Sequence, residues 1–168
     1  EVLSTAMRVH QKFFSITDKA NNLVSKFLFV ANSVKEKHRD YMVIEGNERV
    51  LKARLSDAVY FFENDIANTF ENWNEKLRHV LFYESLGSVY DKTVRMANVS
   101  KVFAKAFGVK SELAEQAAIL SKADLVSEMV MEFPELQGIM GGHYGKIKNK
   151  HEEVTKSIFE HYKPKGLS

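Results

Sequence analysis

Apolar residues recur along this chain in two rhythms, and the change between them falls near residue 46. Before it, "VLSTAMRVHQKFF" has the spacing of a short helix, whereas "FFSITD" and "KFLFVANS" are rich in aromatic and β-favouring residues. "DKANN" between those two runs supplies turn residues, so the pattern predicts a β-hairpin. Two strands alone are marginal in water. The hairpin is therefore expected to pack on helices or to belong to a larger sheet.

From residue 46 the period becomes helical. Leu55, Ala58, Val59, Phe62, Ile66 and Phe70 lie three or four positions apart and predict one apolar helix face. Trp73, Leu77, Val80 and Leu81 predict a second helix. "LGS" interrupts it, and Ser88 suits the N-cap of a third. That helix carries Met96, Val99, Phe103, Ala106 and Phe107 as a stripe expected to face inward, and it stops at Gly108. Ser111 is predicted to cap a fourth, with Glu112 and Glu115 in the first turn, where the helix dipole favours acids. A further helix, capped by Asp124, is expected to reach Phe133, and Pro134 suits the first position of another. "GG" at 141 and 142 is expected to loosen the chain. Val154, Ile158, Phe159 and Tyr162 mark a last amphipathic helix before Pro164. The expected fold class is mainly α. A helical domain over 46–168 follows residues 1–45, which hold the short helix and hairpin and end a preceding region.

Composition narrows this picture. At 45% apolar, 168 residues can bury one sizeable core or two small ones. There is no Cys, which excludes disulfides and thiolate metal sites and suits a reducing compartment, so a cytoplasmic location is expected. No apolar run approaches the roughly 18 residues of a membrane span, and no membrane partner is expected. The start at Glu1 without Met reads as a piece excised from a longer protein.

Net charge is only +2, but its distribution is uneven. Residues 88–110 carry Lys92, Arg95, Lys101, Lys105 and Lys110 against Asp91. Residues 54–87 carry Arg54, Lys76 and Arg78 against Asp57, Glu63, Asp65, Glu71, Glu75 and Glu84. Two readings stay open: a pair of solvated faces, or a footprint for a phosphate backbone on the basic helix. Arg95, Lys101, Lys105 and Lys110 lie off the apolar stripe and are the candidate phosphate contacts. In "GNERVLKARLSDA", Arg54 and Asp57 have the spacing of a helical ion pair, and Arg49 and Lys52 suit phosphate binding or docking.

Catalytic signals are weak. His10, His38 and His79 are scattered, and His143, His151 and His161 lack the i, i+4 spacing of a helical zinc site. No Walker loop, GxSxG elbow or GxGxxG occurs. Asp124, Glu128 and Glu132 fall at i, i+4, i+8, which a solvated stripe or a cap explains more simply than acid–base work. "FGVKSELAEQAAILSKADL" is similar to the pattern of the HD superfamily of metal-dependent phosphohydrolases, in which the alanine-rich helix ends in His-Asp. By that resemblance the metal-ligand places hold Lys92, Ser121 and Lys122. A protonated ammonium has no lone pair and repels a divalent cation, so the HD site is read as degenerate, with no metal ligands and no catalytic residues. The rival reading is a working HD-type metal-dependent nucleotide phosphohydrolase.

Longer stretches carry a more specific resemblance. "EVLSTAMRVHQKFF", "VIEGNERVLKARLSDAVYFFENDI", "SLGSVYDKTVRM" and "KADLVSEMVMEFPELQGIMGGHYG" resemble, in order, the β subunit of bacterial tetrameric glycyl-tRNA synthetase. "MGGHYG" and "KIKNKHEEV" depart from the family's usual runs. The resemblance implies an HD-like helical domain from a larger chain. It implies ATP-dependent joining of glycine to tRNA(Gly), with activation on a separate α subunit and tRNA recognition largely on β. Implied partners are tRNA(Gly), the α subunit and a second β subunit. ATP with Mg is used by the whole enzyme, and no cofactor is expected on this piece.

Overall fold

The computed structural model describes residues 2–32, 37–163 and 166, and it is mainly α. Pro164, expected to follow the last helix, lies outside the described residues. The chain divides into two compact units, Glu1–Tyr60 and Phe61–Ser168. The division falls inside one long helix, α2 (Lys37–Ala67), which begins ahead of the expected onset near residue 46.

In the first unit, α1 (Val2–Thr5) runs into a π-helical turn, Ala6–His10. Strands β1 (Phe14–Thr17) and β2 (Leu23–Leu28) then form the expected antiparallel hairpin. Its turn is built by side-chain chemistry. Asp18 Oδ1 accepts from the Ala20 and Asn22 amides at 2.9 and 2.8 Å, and Asn21 takes a φ of 64°. Short polar side chains favour such turns because they bond locally and tolerate the left-handed region. Met7, Phe13 and Leu51 form a small core, against which Phe27, Phe29 and Leu55 pack.

The second unit holds the larger core. Thr69 caps α3 (Phe70–Lys76) by accepting from the Asn72 amide at 3.1 Å. The chain tightens into a 3₁₀ turn, Leu77–His79, and then extends. Val80 and Leu81, expected to be helical, are not: Leu81 opens β3 (Leu81–Tyr83), which pairs with β4 (Gly87–Ser88) around a glycine at φ 80°. Next come α4 (Val89–Ala106) and α5 (Ser111–Leu120), which pack on each other. Two short helical turns, Ala123–Val126 and Pro134–Leu136, flank α6 (Glu128–Glu132), and α7 (Ile139–Ile147) packs on α8 (Glu152–Glu160). Phe70, Trp73, Leu77, Met129, Phe133, Leu136, Met140, Tyr144, Val154 and Ile158 are all essentially sealed from water.

Helix caps follow the sequence in part. Ser88 and Asp91 make a reciprocal capping box on α4, with amide–side-chain distances of 3.2 and 2.8 Å. Ser111 is the first residue of α5 rather than its cap, and Lys110 takes the cap position without a side-chain bond. Asp124 is no cap either, since Ser127 holds the start of α6 by accepting from the Val130 amide. Nor does the glycine pair loosen the chain. It lies inside α7, where a Cβ on Gly142 would stand 2.3 Å from the Phe159 ring and one on Gly145 2.7 Å from Thr155. These glycines let α8 approach where any larger residue would hold it off.

Candidate functional site

The basic helix α4 shows a face that the apolar pattern does not anticipate. Its buried residues are Val89, Thr93, Ala97 and Ala104. The stripe expected to point inward is largely in water: Val99 is 53% exposed, Phe103 59% and Phe107 78%. Small alanines let α4 lie close to α5, where Ala118 is buried in turn, and this close contact leaves the bulkier stripe outside. Phe103 and Phe107 stack on one another at 6.5 Å between ring centres.

Arg95, Lys105 and Lys110 are exposed, as expected for cations off the core. Arg95 also helps, more weakly than the Ser88 amide and hydroxyl, to hold the Asp91 carboxyl below its ordinary range. Lys101 differs. Its Nζ lies 2.5 Å from Glu115 Oε1 and ties α4 to α5, so its charge is already matched within the protein. No ion pair engages Lys105 or Lys110 among the described residues.

The other three predicted positions lie at the foot of α4 and the end of α5. Lys92 places its Nζ 4.2 Å from the centre of the Phe82 ring. Ser121 is buried and donates to the Ala118 carbonyl at 2.9 Å, so its hydroxyl serves its own helix. Lys122 is only 9% exposed, with its Nζ 3.6 Å from the centre of the Tyr162 ring. Burial first, and then the positive charge of Lys92, pushes the Lys122 ammonium down to about 8, against the pull of Asp124. Lys92 and Lys122 therefore lie in one electrostatic neighbourhood, and Ser121 does not join them chemically. Among the described residues, no group of three or more His, Asp or Glu side chains is placed to hold a metal ion.

Four residues to which the pattern gave other roles or none, Asp124, His161, Tyr162 and Asp65, organise the buried polar contacts of this unit. Asp124 is fully buried and its Oδ2 accepts from the Gly138 and Gly141 amides at 2.7 and 2.9 Å. Burial nonetheless pushes its carboxyl up to about 6 against those two donors. His161 places Nδ1 2.7 Å from the Ile158 carbonyl, which fixes the proton there, and leaves Nε2 buried without a partner. Burial, with Lys122 and Lys92 nearby, pushes that imidazole down to about 4. Tyr162 donates to Gln137 Oε1 at 3.0 Å, and burial pushes its phenol up to about 12. Across the core, Asp65 receives the Glu128 and Met129 amides at 2.9 and 3.0 Å and the Tyr144 hydroxyl at 2.6 Å. It thereby holds the start of α6. Asp124, Glu128 and Glu132 do not form one stripe: Asp124 sits in the core, and Glu128 is exposed and accepts from Asn64. Polar residues at otherwise apolar helical spacing, such as Asp65 beside Phe61, Phe62 and Ile66, were the available signal.

Comparison with known proteins decides the family. The family model described as glycyl-tRNA synthetase beta subunit matches residues 1–168. The chain belongs to the glycyl-tRNA synthetase beta subunit family. It is 48% identical over 168 residues to the glycine–tRNA ligase beta subunit of Rickettsia bellii, covering 100% of this chain and 25% of that protein. The beta subunit of Marinobacter nauticus is 44% identical over 165 residues, 98% of this chain and 24% of its own length. That of Rickettsia prowazekii is 46% identical over 168 residues, again all of this chain and 24% of the relative. The chain thus spans about a quarter of the length of these beta subunits. No helix among its described residues is long and apolar enough to cross a membrane.

Proposed function

We propose that this chain forms a tRNA-supporting part of a glycyl-tRNA synthetase β subunit, with an HD-like second unit whose metal site is degenerate. The observation that carries the reading is a family match over every residue, at 44–48% identity to named beta subunits. The whole enzyme joins glycine to tRNA(Gly) with ATP and Mg, working in the cytoplasm with an α subunit and a second β subunit. This chain supplies no catalytic residue. Its role is to hold RNA and subunit architecture.

The exposed cations of α4 support a backbone-contacting role. Lysines with no carboxylate partner neutralise phosphates and release counterions, whatever the base sequence. Lys105 and Lys110 carry most of this work, Arg95 contributes, and Lys101 contributes once Glu115 lets go. The test is tRNA(Gly) binding by the whole synthetase with Lys101, Lys105 and Lys110 all changed to Glu. Binding weakened at least tenfold, with melting behaviour unchanged, is the expected result. Wild-type affinity would remove the RNA role from this helix.

A further inference from the structure

A groove of about 870 Å³ lies within the first unit, between β2 and α2. One wall is residues 23–27, five consecutive residues of β2. Side chains of a strand alternate between its two faces, so a wall of consecutive residues presents the strand's edge. β2 pairs with β1 along its opposite edge, and among the described residues it has no second neighbour. The register of that pair shifts between Ser15 and Thr17, which stand opposite Phe27 and Leu23. β2 therefore carries extra residues whose backbone groups β1 does not engage. The other wall is one face of α2, where Glu48, Leu51, Lys52, Leu55, Ser56 and Val59 follow the three-and-four spacing of a single side. Leu51 is buried and Leu55 packs against the core, whereas Leu3, Leu23 and Val59 line the groove and are exposed. An unpaired strand edge beside exposed apolar side chains is the usual mark of a surface that pairs with something.

We infer, on the reading of this chain as part of a β subunit, that the groove takes an extended segment of that subunit's own polypeptide from outside these 168 residues. The segment bonds through its backbone to β2 and lays alternate apolar side chains against α2. The two walls match in length: residues 23–27 of a strand rise about 14 Å and residues 48–59 of a helix about 16 Å, the reach of roughly five extended residues. Backbone bonds hold such a segment, and the apolar wall selects its side chains. Two observations make the occupant part of the same subunit. Met7, Phe13 and Leu51 are the buried cluster of this unit, too small a core to hold a fold by itself, so what enters the groove completes the unit. And roughly five residues are far fewer than the roughly 20–30 a side of a standard interface, a deficit that covalent linkage offsets by raising the effective concentration. The chain spans about a quarter of the related beta subunits, which have ample polypeptide to supply the segment.

The test is amide hydrogen exchange of the intact synthetase without RNA, read by mass spectrometry on the peptide that contains residues 23–28. β1 engages at most about half of the β2 amides, because an antiparallel strand turns alternate residues away from each neighbour. With a second neighbour in the groove, nearly all of them should exchange slowly, roughly a hundredfold or more below the unprotected rate. Half or more of them exchanging at the unprotected rate overturns the proposal. Neither this measurement nor the next involves RNA, so failure here is distinguishable from failure of the α4 reading, which tRNA affinity decides. A benzophenone side chain introduced at Ser56, exposed on the α2 wall, identifies the occupant. Irradiation should give a product with the mass of one β subunit, in which position 56 is joined to a peptide outside these 168 residues. A product joining two subunits, a cross-link confined to these residues, or no product overturns the proposal.

Discussion

Asp65 and Lys122 are both charged side chains taken out of water, and the fold treats them in opposite ways. Asp65 receives two amides and a phenol, all within 3.0 Å, and through them joins α2, α6 and α7. Lys122 receives only the face of an aromatic ring. A buried carboxylate that accepts several donors is a structural joint, because removing it strands every donor at once. An ammonium partly withdrawn from water without an acceptor is a standing cost. Within the second unit the carboxylate ties three helices together, and the ammonium ties none.

The largest effect should come from removing the Asp65 carboxylate. Asp65→Ala leaves the Tyr144 hydroxyl and two amides at the start of α6 without their acceptor. It should cost roughly 3 to 5 kcal/mol in denaturant unfolding. A loss below about 1 kcal/mol would mean that water replaces the carboxylate, and the contrast with Lys122 would disappear.

The opposite sign is expected at Lys122. Lys122 titrates near 8 in the folded chain and near its ordinary 10.5 when unfolded. Between those values the unfolded state binds more protons, so stability should rise with pH across the window. Below about pH 8 the penalty is fully present. Lys122→Met should remove both, raising stability at pH 7 and flattening the alkaline rise. Unfolding curves from pH 7 to 10.5 measure it, and a destabilised variant would show that the cation–π contact outweighs desolvation.

A smaller effect is hidden by compensation. Asp124 is raised from 3.8 to about 6, so the folded state binds more protons in that range and stability falls as pH rises. His161 is lowered from 6.5 to about 4, so the unfolded state binds more protons and stability rises over nearly the same range. The two slopes oppose each other. His161→Phe should expose the Asp124 slope, and the difference between variant and parent stability should shrink or turn against the variant from pH 4 to 6. A difference that does not change with pH would place the proton uptake elsewhere.

These contrasts also show what a sequence can disclose. The hairpin, the Ser88 cap, the Gly108 stop and the last amphipathic helix are local events, set by residues a few positions apart, and all were legible. The inward face of α4 was not. Periodicity finds a stripe, but Ala97 and Ala104 won the helix contact because small residues permit closer approach than Val99 or Phe103. Gly141 and Gly142 misled for the same reason, since Ile158 beside the first and Phe159 beside the second come from α8. Lys92 and Lys122 were found through a family pattern, but Lys122's isolation depends on where Asp124 spends its oxygen, fourteen and seventeen residues away. Asp65 depends on partners still farther along the chain.

The salt dependence of tRNA binding tests the proposed role of α4 most directly. The logarithm of affinity against the logarithm of salt concentration should be measured for tRNA(Gly) and the whole synthetase. The comparison is between the parent, Lys105→Ala/Lys110→Ala and Lys101→Ala. Losing two phosphate contacts should reduce the slope by about 2 in the double variant, and by less than 1 for Lys101, whose charge Glu115 already holds. An unchanged slope in the double variant would contradict the account, and α4 would be an ordinary solvated face.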